Sequence, residues 1–301
     1  AAATWMAARF AARAVLPKWR AANASAFVPP VCNKLLHKGS LSIMGVGGPN
    51  SRTDFHIERG AEFFWQHDGE LQLPIIERGR RRLVRVGAGE IFLLPPDIPH
   101  SPQRSADSFG IVVERERGPD ELDGLRWYTD FESCEEVLWE RAFHCSDLGR
   151  DLVPVIEAFR SSHAYRTGEP APVDPAALQI AQDLEAIAPA PLQLLSWLAD
   201  HAATLAAGAS LDPFEGVPTD LHVCVHGGPS HVARAACSAD RWLCVLEGEA
   251  ELYSQLSDEP VKLQAGGALV VPPGTPLSLQ LGRGGLALSV GRSRWAEQGG
   301  E

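Results

Sequence analysis

The sequence predicts a mainly β protein with two β-barrel domains joined by a partly helical linker. Two observations lead to this prediction. Short apolar or alternating runs, separated by Gly, Pro and Asp turns, fill residues 40–116 and return from residue 220 onwards. The two sets of runs also resemble each other, which indicates that one β unit was duplicated. The chain has 301 residues, a length that suits two domains.

Two pairs of segments carry the internal repeat. GELQL, which begins at Gly69, matches GEAEL, which begins at Gly248. GAGEIFLLPPDIPH, with Pro95–Pro96, matches QAGGALVVPPGTPL, with Pro272–Pro273. Repeats of this length favour duplication of one barrel over two unrelated domains. Duplicates can diverge, so a functional site need not be present in both.

The N-terminal segment is predicted to form an amphipathic helix over about residues 4–21, broken or kinked at Pro17. This segment is rich in Ala and basic residues, and the first acidic residue is Asp54. Such a composition resembles an organelle-targeting segment. We favour the helix because VPPVCNKLLH, which follows, has the composition of an ordered segment, and residues 1–26 are assigned to an N-terminal helix.

The remaining boundaries follow from changes in pattern. Residues 27–130 form the first barrel, 131–218 a helical linker region and 219–301 the second barrel. In the linker region, ESCEEVLWERAFHC, DLVPVIEAFRSSH and PLQLLSWLADHAATLAAG have the apolar spacing of helices. The Pro-rich stretch at 168–179 is typical of an inter-domain connection.

Composition excludes several classes of function. The formal charge is 27 − 38 = −11, which disfavours binding to nucleic acid. No run of eighteen apolar residues occurs, so we expect no membrane span. The six cysteines are scattered without a CxxC pair, which indicates reduced thiols and a cytoplasmic protein. A small molecule is the expected partner.

Three residues of the first half form a candidate metal site. His56, Glu62 and His100 supply the two imidazoles and one carboxylate that hold non-haem Fe(II) with adjacent positions open. His56 and Glu62 are six residues apart, so within one regular strand both would face the same side. Asp54 and Glu58 each lie two residues from His56, and the spacing does not exclude either as a ligand.

The motifs around these residues resemble a known family. G-x7-H-x5-E-x6-G, from Gly48, and G-x5-P-x4-H, from Gly89, resemble the two motifs of the cupin superfamily. The segments VGGPNSRTDFH, EFFWQ, GEIFLLPPDIPHSPQR, VVERER and LDGLRWY resemble the 3-hydroxyanthranilate 3,4-dioxygenases. PPVCNKLLH and DLGRDLVPVIEAFRSSHAYRTGEP resemble their animal-type form, which has two cupin barrels. The resemblance is close over about residues 27–170 and rests on pattern alone over 171–301.

The resemblance implies one Fe(II) per chain, held by His56, Glu62 and His100. It also implies six substrate contacts: Arg52, Arg104, Glu114, Asn33, Phe64 and Pro102. Of these, Arg52, Arg104 and Glu114 are expected to be catalytic together with the three ligands. The chemistry agrees, because the planar fork of arginine pairs with a carboxylate such as that of 3-hydroxyanthranilate. Which arginine grips the carboxylate stays open.

The implied reaction uses O2 to open the substrate ring between C3 and C4. Its product is 2-amino-3-carboxymuconate semialdehyde, which closes without an enzyme to quinolinate, on the kynurenine route to NAD. The resemblance also implies a monomer, because two fused barrels imitate the pairing of single-barrel relatives. The alternatives are another metal-dependent cupin enzyme, such as a different ring-cleaving dioxygenase or an isomerase, and a non-enzymatic bicupin binding protein.

The second barrel is expected to be metal-free. In the repeat alignment His56 falls opposite Ala235, Glu62 opposite Arg241 and His100 opposite Leu277. The sequence therefore predicts a degenerate cupin that covers the surface of the catalytic one.

Overall fold

The structure, a computed structural model, describes residues 10–28, 32–170, 180–254 and 259–295. Antiparallel strands dominate both halves, which confirms the predicted mainly β class. The described helices are α1 (Leu16–Ala22), α2 (Leu148–Ser161), α3 (His163–Thr167), α4 (Leu194–Asp200) and α5 (Ala202–Ala206), with a 3-10 turn at Ala24–Phe27. Each of these described helices is too short or too polar to span a bilayer.

The N-terminal barrel uses strands β2 to β12. Their bounds are β2 Asn33–Lys38, β3 Leu41–Gly47, β4 Phe55–Ile57, β5 Glu62–Asp68, β6 Leu71–Glu77, β7 Arg80–Val86, β8 Glu90–Leu94, β9 Gln103–Arg104, β10 Phe109–Arg115, β11 Asp123–Tyr128 and β12 Val137–Phe143. One sheet has the order β8-β5-β10-β3-β2. The other strands form two three-stranded groups, β12-β11-β4 and β7-β6-β9.

The C-terminal barrel repeats this plan. Its strands are β14 Ser210–Leu211, β15 His222–Gly227, β16 Ser230–Arg234, β17 Arg241–Glu247, β18 Glu249–Ser254, β19 Val261–Gln264, β20 Gly267–Val271, β21 Leu277–Leu281 and β22 Leu286–Gly291. The large sheet has the order β20-β17-β22-β15-β14, and the second sheet has the order β16-β21-β18-β19.

Each barrel receives one strand from outside its own run of sequence. Strand β1 (Ala11–Val15) pairs with β20 of the C-terminal barrel. Strand β13 (Leu192–Gln193), from the linker region, pairs with β8 of the N-terminal barrel. Because β8 and β20 are the repeat equivalents that carry the double-proline motif, both barrels are extended at the same edge.

The large sheets of the two barrels share one core. Phe63 of β5 and Trp242 of β17 belong to a single buried cluster, and the rings of Trp65 and Trp242 lie 6.3 Å apart. Successive strand residues point to opposite faces. Glu62 and Phe64 of β5 therefore face the interior of the N-terminal barrel. This packing positions the candidate site away from the interface between the barrels.

Three predicted helices differ from the structure. ESCEEVLWERAFHC contains strand β12, in which Trp139 pairs with Trp127 of β11. Ala11–Val15 is a strand, and Pro17 lies in the first turn of α1, where a missing N–H costs nothing. The predicted helix at 191–208 is divided into α4 and α5 at His201, whose ring Nδ1 contacts the Trp197 carbonyl at 2.8 Å.

A further predicted helix is confirmed, and two other predictions lie partly outside the described residues. Residues 151–161 of DLVPVIEAFRSSH lie in α2, as predicted, and Asp147 accepts a hydrogen bond from the Arg150 N–H at the N-terminus of that helix. In the expected connection at 168–179, residues 171–179 lie outside the described part of the chain. The N-terminal prediction lies outside it over residues 1–9.

Candidate metal centre and substrate cavity

Three buried side chains from separate segments meet inside the N-terminal barrel. His56 is the middle residue of β4, Glu62 is the first residue of β5, and His100 follows β8. One possible ligand atom from each lies within 4.8 Å of those of the other two. The structure thus brings together the three residues that the sequence selects as ligands.

Backbone pairing places the two imidazoles side by side. The N–H of His56 donates to the carbonyl of His100 at 2.8 Å, and the reverse bond is 2.9 Å long. The ring centroids lie 5.4 Å apart. His56 and Glu62 do not lie on one regular strand, as the prediction of a shared face assumed, because a bend at residues 58–61 separates β4 from β5. It is this change of direction that brings the two side chains to one cavity.

Each imidazole has one nitrogen bound to a group outside the candidate ligand set, which leaves its other nitrogen facing the remaining members of that set. Nε2 of His56 lies 2.7 Å from Oδ2 of Asp123, and Nδ1 of His100 lies 3.0 Å from the Ile98 carbonyl. Burial alone would raise the pKa of Asp123, but hydrogen bonding to His56 holds that pKa below its ordinary value. The ionised carboxylate only accepts, so the His56 proton is on Nε2.

This arrangement fits a metal. Histidine ligands of metals usually donate their second N–H to a carboxylate or a backbone carbonyl, as His56 and His100 do. Oε1 of Glu62 is buried and lies 2.8 Å from Nε2 of His100, a contact between two candidate ligand atoms. Burial raises the pKa of Glu62, but the imidazole of His100 outweighs burial and keeps the carboxyl ionised. Two imidazole nitrogens and one anionic oxygen therefore remain for an ion.

The two rival ligands are engaged elsewhere. Asp54 pairs with Arg52, whose Nε donates to it at 3.1 Å. Glu58 pairs with Arg117, with 2.7 Å between Oε2 and Nη2. Two further groups among the described residues could hold a metal, namely His56 with Glu58 and Asp123, and Glu58 with Glu62 and Glu114. Glu58 belongs to both of these groups.

Arg117 is a central residue that the sequence reasoning missed. Its Nη1 donates to Glu114 at 2.8 Å and its Nη2 donates to Asp123 at 3.0 Å. Burial lowers the pKa of Arg117, but Glu58, Glu114 and Asp123 more than offset this and keep it charged. The signal was present in VVERER and LDGLRWY, which contain Arg117 and Asp123, but spacing did not reveal their pairing.

All nine predicted site residues line one cavity of about 200 Å³. They are joined there by Cys32, Met44, Val46, Asn50, Val112 and Leu152. Leu152 comes from α2, so the predicted helix contributes to the cavity wall. Phe64 lies on the barrel-interior face of β5, two residues from Glu62, and its ring centroid is 6.0 Å from that of Phe92. Asn33, on β2, is exposed.

The two arginines of the cavity differ in their partners. Arg104 is buried; its Nη1 donates to Gln66 at 3.0 Å, and its Nε has no hydrogen-bond partner among the described residues. Burial lowers the pKa of Arg104 to about 10, partly offset by Glu62, so it stays charged at neutral pH. Arg52 is less buried and is already paired with Asp54. Arg104 is therefore the arginine of this cavity with a buried donor that has no partner among the described residues.

The C-terminal barrel places a cation where the N-terminal barrel has Glu62. Glu62 pairs with Leu94 and Glu114 across its sheet, and Arg241 pairs with Val271 and Gly291 across the equivalent sheet. The three groups that could hold a metal, within the described residues, all lie in the N-terminal barrel.

Comparisons with known proteins agree on one family. The profile of the 3-hydroxyanthranilic acid dioxygenase family matches residues 10–160. The 3-hydroxyanthranilate 3,4-dioxygenase of Bos taurus is 44% identical over 90% of this chain and 93% of its own. That of Homo sapiens is 41% identical over the same shares. Among solved structures, oxalate decarboxylase of Bacillus subtilis has a TM-score of 0.47 and 16% identity, over 86% of this chain and 69% of that one.

Two fused barrels, one holding a buried pair of imidazoles and a carboxylate, define a bicupin with a candidate metal centre. Within that class, the chain belongs to the 3-hydroxyanthranilic acid dioxygenase family.

Proposed function

We propose that this chain opens the ring of 3-hydroxyanthranilate with O2, using one Fe(II) bound by His56, Glu62 and His100. One observation carries the proposal: a buried two-histidine, one-carboxylate group shares a cavity with a buried arginine that has an unused donor. Family membership supports the choice of substrate, because the curated relatives carry the name of this activity.

Arg104 is the proposed partner of the substrate carboxylate. Its buried Nε would donate a charge-assisted hydrogen bond, which is stronger than a hydrogen bond between neutral groups. Arg52 is already paired with Asp54, so we assign it the secondary role of closing the charged end of the cavity. Phe64 and Val112 would pack against the aromatic ring and hold its plane.

Glu114 is the proposed acceptor of the substrate hydroxyl proton. Burial raises the pKa of Glu114, partly offset by Arg117, which makes its carboxylate a better base. Oε2 accepts a hydrogen bond from Arg117, so Oε1 would take the proton.

Fe(II), when bound, would supply the centre at which the substrate oxygen and nitrogen and O2 meet, and through which electron density passes to oxygen. The protein's share is to position the ring and to balance its charge. In the overall reaction the C3–C4 bond breaks and both oxygen atoms enter 2-amino-3-carboxymuconate semialdehyde. This product would close to quinolinate, a precursor of NAD.

The setting of this activity is also part of the proposal. The six cysteines are free thiols, which supports a reducing compartment such as the cytoplasm. The large sheets of the two barrels pack against each other within one chain, which supports a monomer. We expect no nucleic-acid or membrane partner.

The test is anaerobic loading with Fe(II), followed by 3-hydroxyanthranilate and air. We expect stoichiometric O2 uptake and the absorbance of the semialdehyde. The matched controls are Zn(II)-loaded protein and 3-hydroxybenzoate, which lacks the amino group. Absence of both signals from the iron-loaded, folded protein would reject the proposed function.

A further inference from the structure

The C-terminal barrel contains a cavity of its own, of about 390 Å³. Arg234 and Arg241 line it and are both buried. Leu211, Val223 and Trp295 supply apolar wall. The cavity thus combines buried positive charge with an aromatic surface.

Arg241 is buried without a carboxylate partner. Its Nη2 donates to the Ser293 carbonyl, whereas its Nε and Nη1 have no hydrogen-bond partner among the described residues. Arg241 is 1% exposed, so bulk water solvates its charge little, although the residue lines the cavity. Burial lowers the pKa of Arg241, and Cys237, which also offers its side chain a weak hydrogen bond, and Cys224 partly offset this.

Arg241 differs from Arg117, the buried arginine of the N-terminal barrel, in having no carboxylate partner. Arg117 is also buried, but Glu58, Glu114 and Asp123 surround it. A buried charge without a hydrogen-bonded counter-ion is strongly destabilising. Arg241 therefore has the properties of a residue whose counter-ion comes from outside the chain.

The other charges of the cavity are compatible with an anion. Oδ1 of Asp212 accepts a hydrogen bond from the backbone N–H of Phe214 at 2.8 Å. Glu215 is exposed and pairs with Arg294 at 3.5 Å. Both carboxylates are more exposed than Arg241, so the most buried part of the cavity is cationic.

We infer that the C-terminal barrel binds a small aromatic carboxylate, with its carboxylate on Nε and Nη1 of Arg241 and its ring against Trp295. The guanidinium of Arg241 already lies over the Trp295 ring, 5.2 Å from its centroid, and that of Arg234 lies at 5.8 Å. A planar acid could therefore reach both the cation and the aromatic wall. This inference does not depend on the proposed function.

The test is calorimetric titration of the full chain with 4-fluorobenzoate. Because the N-terminal cavity would also take a carboxylate, the titration is made in the Arg104→Met background. We expect one binding equivalent there, and a loss of affinity of roughly tenfold or more when Arg241→Met is added. Arg283→Met, at an exposed arginine outside both cavities, is the matched control and should change nothing.

Other outcomes would overturn the inference. These are no binding in the Arg104→Met background, unchanged binding after Arg241→Met, or equally tight binding of inorganic phosphate or chloride. Circular dichroism and thermal melting show whether each variant is folded. If Arg241→Met does not fold, Arg241→Lys replaces it, since a lysine keeps the charge but lacks the guanidinium donors, and the same weakening is expected. A rise in melting temperature with ligand should also be lost together with binding.

Discussion

The first residue of strand β5 is Glu62, and the first residue of its repeat equivalent β17 is Arg241. Both lie in the middle of a large sheet and both are buried. One belongs to the candidate metal-binding group, and the other is a cation without a carboxylate partner among the described residues. The same position in the scaffold therefore holds opposite charges in the two barrels.

The faces of these strands have diverged unequally. The residues that point between the barrels, such as Phe63 and Trp242, are large and apolar in both and share one core. At the first position that points into the barrel, Glu62 of one strand corresponds to Arg241 of the other. Packing between the barrels constrains one face of each sheet, whereas the barrel interior is free to change its chemistry.

The strongest test of this comparison is Glu62→Ala. We expect loss of bound iron and a fall in ring-opening activity of more than about a hundredfold, because the only anionic member of the proposed ligand group is removed. Metal analysis after dialysis and O2 uptake measure the two effects. The chain offers a matched control in Glu58→Gln, which changes a buried carboxylate bound to Arg117 and should keep its iron. The reverse result would show that Glu58 is the ligand.

The second test concerns the cations of the two barrels. Arg104→Met should raise KM by roughly tenfold to a hundredfold while iron stays bound, because a charge-assisted hydrogen bond in a buried site is lost. Arg52→Met should have a smaller effect, since Arg52 is already paired with Asp54. Steady-state kinetics on iron-loaded variants make this distinction. Equal effects, or a larger one at Arg52, would contradict the assignment of Arg104.

How far the sequence predicts this site depends on whether its residues lie in local motifs. His56, Glu62 and His100 could be selected because the local motifs around them resemble those of a known family, whereas residue type and spacing alone left Asp54 and Glu58 open. The contact of Asp123 with His56 depends on the pairing of β11 with β4 across 67 positions, and no local pattern encodes it. Long-range pairing thus explains why the charged network around Arg117 was missed.

The same limitation applies to the fold. The alternating runs and the repeat predicted a mainly β chain, because period and turn residues are local signals. ESCEEVLWERAFHC has helical spacing, but Trp139 pairs with Trp127 in the barrel, and tertiary packing overrides the local preference. Ala11–Val15 likewise becomes a strand because it completes the edge of the distant strand β20.

A third prediction concerns the residue that orients His56. Asp123→Asn should weaken iron binding by about tenfold to a hundredfold, the usual effect of removing a partner behind a metal-binding histidine. The neutral amide accepts a weaker hydrogen bond from the His56 N–H than the carboxylate does. The substitution also removes one of the negative charges that surround Arg117. Titration of apo-protein with Fe(II) under anaerobic conditions measures the change. Unchanged affinity in a folded variant would remove Asp123 from the site.

Two buried histidines make the last comparison. Burial lowers the pKa of His100, but Glu62 raises it above its ordinary value. Burial, together with the neighbouring cations Arg234 and Arg241, lowers the pKa of His226 to about 3. Nδ1 of His226 accepts from Arg234 at 3.3 Å, so this imidazole is held neutral.

The smallest expected effect is on stability in acid. In the unfolded chain His226 binds a proton below pH 6.5, whereas the folded protein binds it only near pH 3. The free energy of unfolding is therefore unaffected by this proton above pH 6.5. Below pH 6.5 that free energy falls as the pH is lowered. Between pH 6.5 and 4.5 this loss is about 2–3 kcal/mol. His226→Gln should therefore show a shallower fall in the free energy of urea unfolding over that range, whatever its stability at pH 7. His231→Gln, at an exposed histidine of the same barrel, should keep the wild-type slope. Equal slopes in the wild type and His226→Gln would mean that the cations around His226 do not exclude its proton, and the electrostatic contrast between the barrels would then be lost.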